Sequence, residues 1–256
     1  MLGPAELLVV LVSAVAAGAV NALAGGGTLI TFPVLLAVGM PAVTANITNT
    51  VALCPGHFGA TYSQRRNLRG QAALLWKLLP AGVAGGLLGG VLLLQTEEKT
   101  FREAVPFLLL AASMILALQD RVRAWLVRRA ERRGMDSGHG HWAPLLVAAA
   151  SVYGGYFGAG LGVILLATLG AVIDQSLTRL NAVKQVLSMA VNVAAAVFFL
   201  FSGQIIWSAA AVMAVGAIVG GTLGGRLARR VRPETLRWII VTIGLLLSLV
   251  YLIRWH

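Results

Sequence analysis

The chain has 256 residues, of which 58% are hydrophobic and only 11% are charged, and its formal net charge is +11. Because an ordinary soluble domain carries about 25% charged residues, this composition excludes a soluble globular protein and predicts an all-α polytopic membrane protein in a lipid bilayer. The excess arginine lies in short segments between apolar runs, which is typical of cytoplasmic loops and argues against a nucleic-acid partner.

The apolar segments form two similar series, each with a long helix, a glycine-rich break, a short segment and three further long helices. The first series is predicted at residues 5–23, 28–39, 42–64, 70–95 and 100–118. The second is predicted at residues 143–157, 163–173, 176–201, 205–230 and 233–253. A short segment rises only about 18 Å as a helix, less than the hydrocarbon core of about 30 Å, so it must re-enter or cross with the help of unwound chain.

A single shift of 135 residues aligns the two series along most of their length. This register joins glycine, polar and charged positions, and it pairs Gly25 with Gly160, Gly27 with Gly162, Asn46 with Asn181, and Arg102 with Arg237. The basic loop precedes the fourth segment in the first series, at 65–69, but follows it in the second, at 226–237. This reversed order predicts two inverted-topology repeats, at 1–118 and 143–256.

Residues 119–142 separate the repeats and are predicted to form a basic cytoplasmic linker. The stretch 121–134 contains six arginines and one glutamate. Val122, Trp125 and Leu126 share one helical face, as in an interfacial helix that lies on the membrane, although a solvated charge run would show a similar pattern. His139 and His141 follow in a flexible stretch without further ligands, so no metal site is predicted.

The stretch AGGGTLITFP, residues 24–33, interrupts a helix where the bilayer would penalise unpaired backbone groups. FGAGLG, residues 157–162, repeats the interruption in the second series. Such a break persists only where it is buried or lines a wet cavity, and the helix after it presents free N–H groups that favour an anion. The sequence therefore predicts one midplane anion site at both breaks, and its backbone part comprises Gly25, Gly26, Gly27, Thr28, Gly158, Gly160 and Gly162. The GG-x-x-GG pairs at 85–90 and 220–225 are instead predicted to pack helices closely.

The helix after each short segment carries polar residues at helical spacing, and these complete the predicted site. The first set is Asn46, Asn49, Thr50 and His57, and the second is Asn181, Lys184, Ser188 and Asn192. Lys184 is the most informative of these residues, because an intramembrane lysine costs at least about 2.5 kcal/mol at a helix centre. It is expected to be the countercharge to an anion, whereas the alternative is a lysine that extends to the interface beside Arg179.

These motifs resemble those of the TauE/SafE family of sulfite and organosulfonate exporters over nearly the whole chain. The resemblance rests on AGGGTLITFPVLLAVGMPAVTANITNT, on the second glycine motif and on the duplicated GG-x-x-GG helices. The second motif departs from the family pattern, with Leu161 where glycine runs are common and Thr168 where proline is common. The resemblance implies a multi-pass protein of the cytoplasmic membrane that moves small sulfur oxyanions or sulfonates, usually outward.

Two other classes of function remain open at this point. An enzyme would need a catalytic constellation, and Cys54 and His57 have no visible orienting acid, so the chain is not predicted to be an enzyme. A passive anion channel, or a transporter of another small oxyanion, could use the same breaks and the same lysine. No nucleotide-binding loop is present and no cofactor is predicted, while the sequence leaves a homo-oligomer open.

Overall fold

The computed structural model describes residues 2–23, 26–132, 141–227 and 233–255. This part of the chain forms eleven helices and no strand. The helices are α1 (Pro4–Leu23), α2 (Thr28–Ala37), α3 (Ala42–Ser63), α4 (Ala72–Gln95), α5 (Glu98–Ala117), α6 (Gln119–Arg132), α7 (Ala143–Tyr156), α8 (Leu161–Val172), α9 (Leu177–Leu200), α10 (Trp207–Leu227) and α11 (Pro233–Trp255).

The all-α polytopic membrane fold is confirmed. Five of the described helices, α1, α4, α5, α9 and α11, are long and apolar enough to cross a bilayer. The predicted ends agree with the observed ones to within a few residues, and the two short segments are helices of 10 and 12 residues. Apolar length and glycine breaks therefore determine the order of the elements, because a bilayer leaves few alternatives to a helix.

Glycine allows two pairs of helices to touch at their backbones. A Cβ at Gly85 or Gly89 on α4 would collide with the α7 backbone at Ala148 or Val152, and one at Gly220 on α10 would collide with Val15 on α1. These two helix pairs, α4 with α7 and α1 with α10, make the most extensive contacts in the described fold. The predicted packing role of the GG-x-x-GG stretches is confirmed at these positions.

Helices that occupy equivalent places in the two halves run antiparallel. On α3 and α9, the Cys54 thiol lies 3.6 Å from Asn192 O, and Thr61 Oγ1 lies 3.4 Å from Gln185 O. On α5 and α11, Ser248 Oγ donates to Pro106 O at 2.7 Å. This antiparallel pairing supports the inverted arrangement of the repeats, which remains a prediction.

The short helix α8 returns to the side from which α7 started. Its end is held by α6, where Leu126 packs onto Gly170 and the Arg129 guanidinium donates to Ala171 O at 2.6 Å. Gly85 and Gly89 on α4 meet Ala148 and Val152 on α7, and Gly82 and Gly90 meet Leu187 and Phe199 on α9, so these three helices run in the same direction. Because α9 begins five residues after the end of α8, α7 begins on the side where α8 ends. The pair is therefore a re-entrant hairpin, and the side that carries α6 is called the linker face below.

The other short helix, α2, ends on the opposite side. The Glu98 carboxylate, at the start of α5, accepts hydrogen bonds from the backbone N–H groups of Ala42 and Val43 at the start of α3. The start of α5 is far from α6, because α6 follows the other end of α5. The short helices α2 and α8 therefore end at opposite faces of the fold.

Candidate functional site

Both breaks require glycine for backbone reasons. Gly26 has φ of 89°, and Gly158 and Gly160 each have φ of 79°, which is a left-handed conformation that other residues rarely adopt. Gly26 lies against Leu116 and Gly160 lies against Ile115, so both breaks pack against the same turn of α5. Gly25, which belongs to the predicted site, lies outside the described residues.

The first break is closed by hydrogen bonds from its own half. Gly27 N–H donates to Asn21 Oδ1 at 2.8 Å. The Thr31 hydroxyl donates to Asn49 Oδ1 at 2.6 Å and lies 3.2 Å from Gly27 O. Thr31 and Asn49 are both buried. Thr28, at the start of α2, is half-buried. The polar groups around α2 are thus largely occupied by one another.

Side chains of the first half surround the second break. Asn46 Nδ2 donates to Tyr156 O at 2.8 Å, just before the break. The ring of Phe32 on α2 contacts that of Phe157, with centroids 5.3 Å apart. Asn46 is 1% exposed, and its Oδ1 has no partner among the described residues. An unsatisfied acceptor next to a broken helix indicates a place where a further polar group is expected.

The N-terminus of α8 keeps a free donor. Leu161 N–H donates to Gly158 O at 3.2 Å and Val163 N–H donates to Gly160 O at 2.9 Å. Gly162 N–H has no acceptor within the part of the chain that the structure describes. Under the shift of 135 residues, the position equivalent to Asn21 is Tyr156. The second half therefore lacks the side-chain amide that accepts a hydrogen bond from Gly27 N–H in the first half.

The Lys184 ammonium group lies next to Gly162. Lys184 Nζ lies 3.7 Å from the point that a Cβ of residue 162 would occupy. Gly162 lies ten residues before the end of α8 and Lys184 seven residues after the start of α9. At about 1.5 Å per residue, Gly162 is about 15 Å from the hairpin end and the Lys184 backbone about 10 Å. The side chain therefore points into the membrane and not to the interface, against the expectation for an interfacial lysine.

The surroundings of Lys184 contain no counter-ion within the described ranges. No carboxylate there pairs with its ammonium group and no acceptor takes its protons. His57 on α3 is close enough to interact with it electrostatically. Ser188, one turn along α9, is 4% exposed, and its hydroxyl has no hydrogen-bond partner in the part of the chain that the structure describes. Positive charge and unused polar groups thus accumulate beside the second break.

Several predicted site residues use their polar groups elsewhere. The Thr50 hydroxyl donates to Asn46 O at 2.9 Å, and Asn192 Nδ2 donates to Ser188 O at 2.8 Å, so both bond to their own helices. Asn181 is half-buried one turn from Lys184 on the linker side. A single site shared by both breaks stays a prediction, and the free groups lie at the second one. Sequence reasoning missed Asn21 and Thr31, although the register of 135 residues already set Asn21 against Tyr156.

Apolar spanning helices interrupted by glycine breaks, with polar side chains buried beside the breaks, are typical of membrane transporters. Residues 10–251 match the family model described as "Sulfite exporter TauE/SafE". The chain belongs to this family.

Similar proteins carry consistent names. A "Probable membrane transporter protein" of Haemophilus influenzae is 27% identical over 229 residues, covering 90% of this chain and 88% of the relative. The "Probable membrane transporter protein YfcA" of Escherichia coli is 28% identical over 250 residues, covering 97% of this chain and 90% of the relative. No solved structure matches the chain. The family and these names indicate a multi-pass membrane transporter and not an enzyme.

Proposed function

We propose that the protein is a secondary transporter that moves small sulfur-containing anions, sulfite or organosulfonates, out across the cytoplasmic membrane. The observation that carries this proposal is the Lys184 ammonium group beside the free Gly162 N–H at the start of α8. The class of anion and the outward direction follow the description of the family.

Electrostatics favours an anion between Lys184 and α8. The start of a helix carries about half a positive charge, so a lysine placed there is repelled. An intramembrane lysine without a counter-ion is also costly. An anion held between the ammonium group and Gly162 N–H would relieve both costs at once. A purely structural role would not explain why a lysine lies at this position.

The neighbouring polar groups suit a sulfur oxyanion. Sulfite and sulfonates present three oxygen acceptors at one end, so they need several donors with different directions. Lys184 supplies charge, Gly162 N–H supplies a fixed donor, and the Ser188 hydroxyl can supply a third because no described residue bonds to it. Hydrogen bonds to charged groups contribute about 1.5 to 3 kcal/mol each, so two or three of them suffice for a transported substrate.

A panel of anions in proteoliposomes tests the proposal. Purified protein is assayed for uptake and counter-exchange of sulfite, sulfate, thiosulfate and a small sulfonate. Lys184→Gln is the inactive variant and Lys99→Gln, an exposed lysine at the start of α5, is the control. We expect saturable, exchangeable sulfite or sulfonate flux that Lys99→Gln keeps and Lys184→Gln loses. Ohmic current without exchange would instead indicate a channel, and flux of none of these anions would refute the substrate class.

The inverted arrangement has its own test. After Cys54 is replaced, single cysteines at Arg69 and Gln204, which are exposed and equivalent under the shift of 135 residues, are labelled in intact cells with a reagent that cannot cross the membrane. We expect labelling of position 204 only, since residue 69 follows the end of α3 at the linker face and residue 204 follows the far end of α9. Labelling of both positions from outside would contradict the proposed orientation.

A further inference from the structure

An apolar groove lies between α5 and α11 at the linker face, on the exposed side of the same turn of α5 whose buried side contacts both breaks. It encloses about 310 Å³ and is lined by Ser113, Met114, Ala117, Leu118, Arg121, Trp238, Val241 and Leu245. Met114 is 51% exposed and Trp238 is 52% exposed, so the groove opens sideways to the bilayer. Its walls are mainly hydrocarbon, and Arg121 is the one formal charge among the lining residues.

The helix α6 places Arg121 at the end of this groove. Its inner face packs on the protein through Val122, Leu126 and Arg129, while Arg121, Trp125 and Arg128 share an exposed face. Residues at spacings of 4 and 3 share a helical face, so the two basic side chains flank the tryptophan. This is the pattern of a helix at the level of lipid headgroups.

The position of Arg121 is fixed by its neighbours. Asp120 forms a two-pronged ion pair with Arg237, which is 4% exposed at the start of α11. Further along α6, Arg129 holds the end of α8. Both ends of α6 are therefore attached to the second half. Arg121 itself has no ion-pair partner among the described residues.

We propose that this groove binds one anionic phospholipid of the leaflet at the linker face. An acyl chain lies against Met114, Ala117 and Leu245, and the headgroup phosphate accepts hydrogen bonds from Arg121. A free anion would use the guanidinium alone and leave the apolar groove exposed, whereas a phospholipid matches both parts. Trp238 lies at the mouth, where tryptophan prefers the boundary between hydrocarbon and headgroups.

Native mass spectrometry of delipidated protein tests this site. The protein is titrated with phosphatidylglycerol and with phosphatidylcholine, and the first bound lipid is quantified for Arg121→Gln and for the control Arg123→Gln, which removes an exposed arginine of α6 outside the groove. We expect phosphatidylglycerol to bind about fivefold more weakly to Arg121→Gln, the equivalent of about 1 kcal/mol per arginine near an anionic surface. Arg123→Gln should match the wild type. An equal loss in both variants would refute a specific headgroup site.

A second pair of variants tests the acyl chain. Ala117→Phe fills the groove, whereas Ala111→Phe adds the same ring to an exposed position of α5 outside it. We expect the first to lose the bound phospholipid and the second to keep it. Inorganic phosphate and chain-free glycerophosphoglycerol should not compete with the lipid. Retention of the lipid by Ala117→Phe, or competition by inorganic phosphate at similar concentration, would overturn the proposal.

Discussion

The two breaks have equivalent sequence positions but opposite chemistry. At the first, Asn21 occupies Gly27 N–H and Asn49 accepts from Thr31. At the second break, the residue equivalent to Asn21 is Tyr156 and the residue equivalent to Asn49 is Lys184. Gly162 N–H has no acceptor there among the described residues. Duplication therefore supplies two helix N-termini within the membrane, and they differ in the side chain beside them, which is an amide bonded to Gly27 N–H at the first and Lys184 at the second.

This difference separates a structural break from a binding one. At the first break, the bond from Gly27 N–H to Asn21 joins α1 to the start of α2 and stabilises the turn between them. An uncapped N-terminus beside a cation is unfavourable when empty and becomes favourable when an anion is bound. We therefore expect substitutions at the first break to change stability and equivalent substitutions at the second to change anion binding.

The largest effect is expected from Gly162→Leu. The three atoms nearest to a Cβ at this position all belong to the Lys184 side chain, at 3.7 to 3.9 Å, so the protein should fold, but the leucine would fill the space in front of the ammonium group. We expect sulfite flux in proteoliposomes to be abolished while the yield and the melting temperature stay close to the wild type.

The matched substitution is Gly27→Leu. Here a Cβ would lie 2.8 Å from Ala17 O and 2.8 Å from Asn21 Nδ2, so the backbone itself must move. We expect less folded protein and a lower melting temperature. Comparable loss of folded protein in both variants would mean that the second break is also only structural.

Lys184→Gln should have the next largest effect. It keeps a similar length and some hydrogen bonding but removes the charge, so we expect sulfite to bind about 10 to 100 fold more weakly, from about 1.5 to 3 kcal/mol for a hydrogen bond to a charged group. Lys184→Arg should lose less because the charge remains. Calorimetric titration of the purified variants measures this. Unchanged affinity in folded Lys184→Gln would move the site elsewhere.

The sequence predicts the helices well because hydropathy and glycine leave few alternatives in a bilayer. It also identifies Lys184, since a charge in a long apolar run needs a reason. The sequence does not show how the two breaks differ. The hydrogen bond from Gly27 N–H to Asn21 Oδ1 forms only because the chain turns between these two residues, and the sequence does not give the geometry of that turn. Re-entry of α8 likewise depends on a distant contact, that of Leu126 with Gly170.

Helical spacing was least informative for the polar residues of α3. Asn46 and His57 were expected to share one face around a single site, yet they are eleven residues apart, which is about 16 Å along the helix. In the structure Asn46 reaches Tyr156, whereas His57 lies near Lys184. Spacing gives the direction of a side chain, but the depth at which a partner helix meets it depends on the packed fold.

Asn49→Ala should cause a moderate loss of stability. It removes the acceptor at 2.6 Å and leaves the buried Thr31 hydroxyl only the longer contact with Gly27 O, at 3.2 Å. A poorly paired buried hydroxyl costs about 1 to 3 kcal/mol. The melting temperature should fall by about 2 to 4 °C per kcal/mol, and sulfite affinity should stay near the wild type. Both quantities are measured on the detergent-purified protein. A loss of affinity as large as that of Lys184→Gln would bring the first break into the binding site.

The smallest effect is expected from Asn21→Ala, which frees Gly27 N–H and so makes the first break resemble the second. Loss of one hydrogen bond costs about 0.5 to 1.5 kcal/mol, so the melting temperature should fall by only a few degrees. A free helix N-terminus alone attracts an anion by about 0.3 to 1 kcal/mol, too little for measurable binding without a cation such as Lys184. Calorimetric titration of Asn21→Ala should therefore still show one sulfite per chain with the wild-type affinity. A second bound sulfite would show that an uncapped helix is sufficient, and that Lys184 does not distinguish the two breaks.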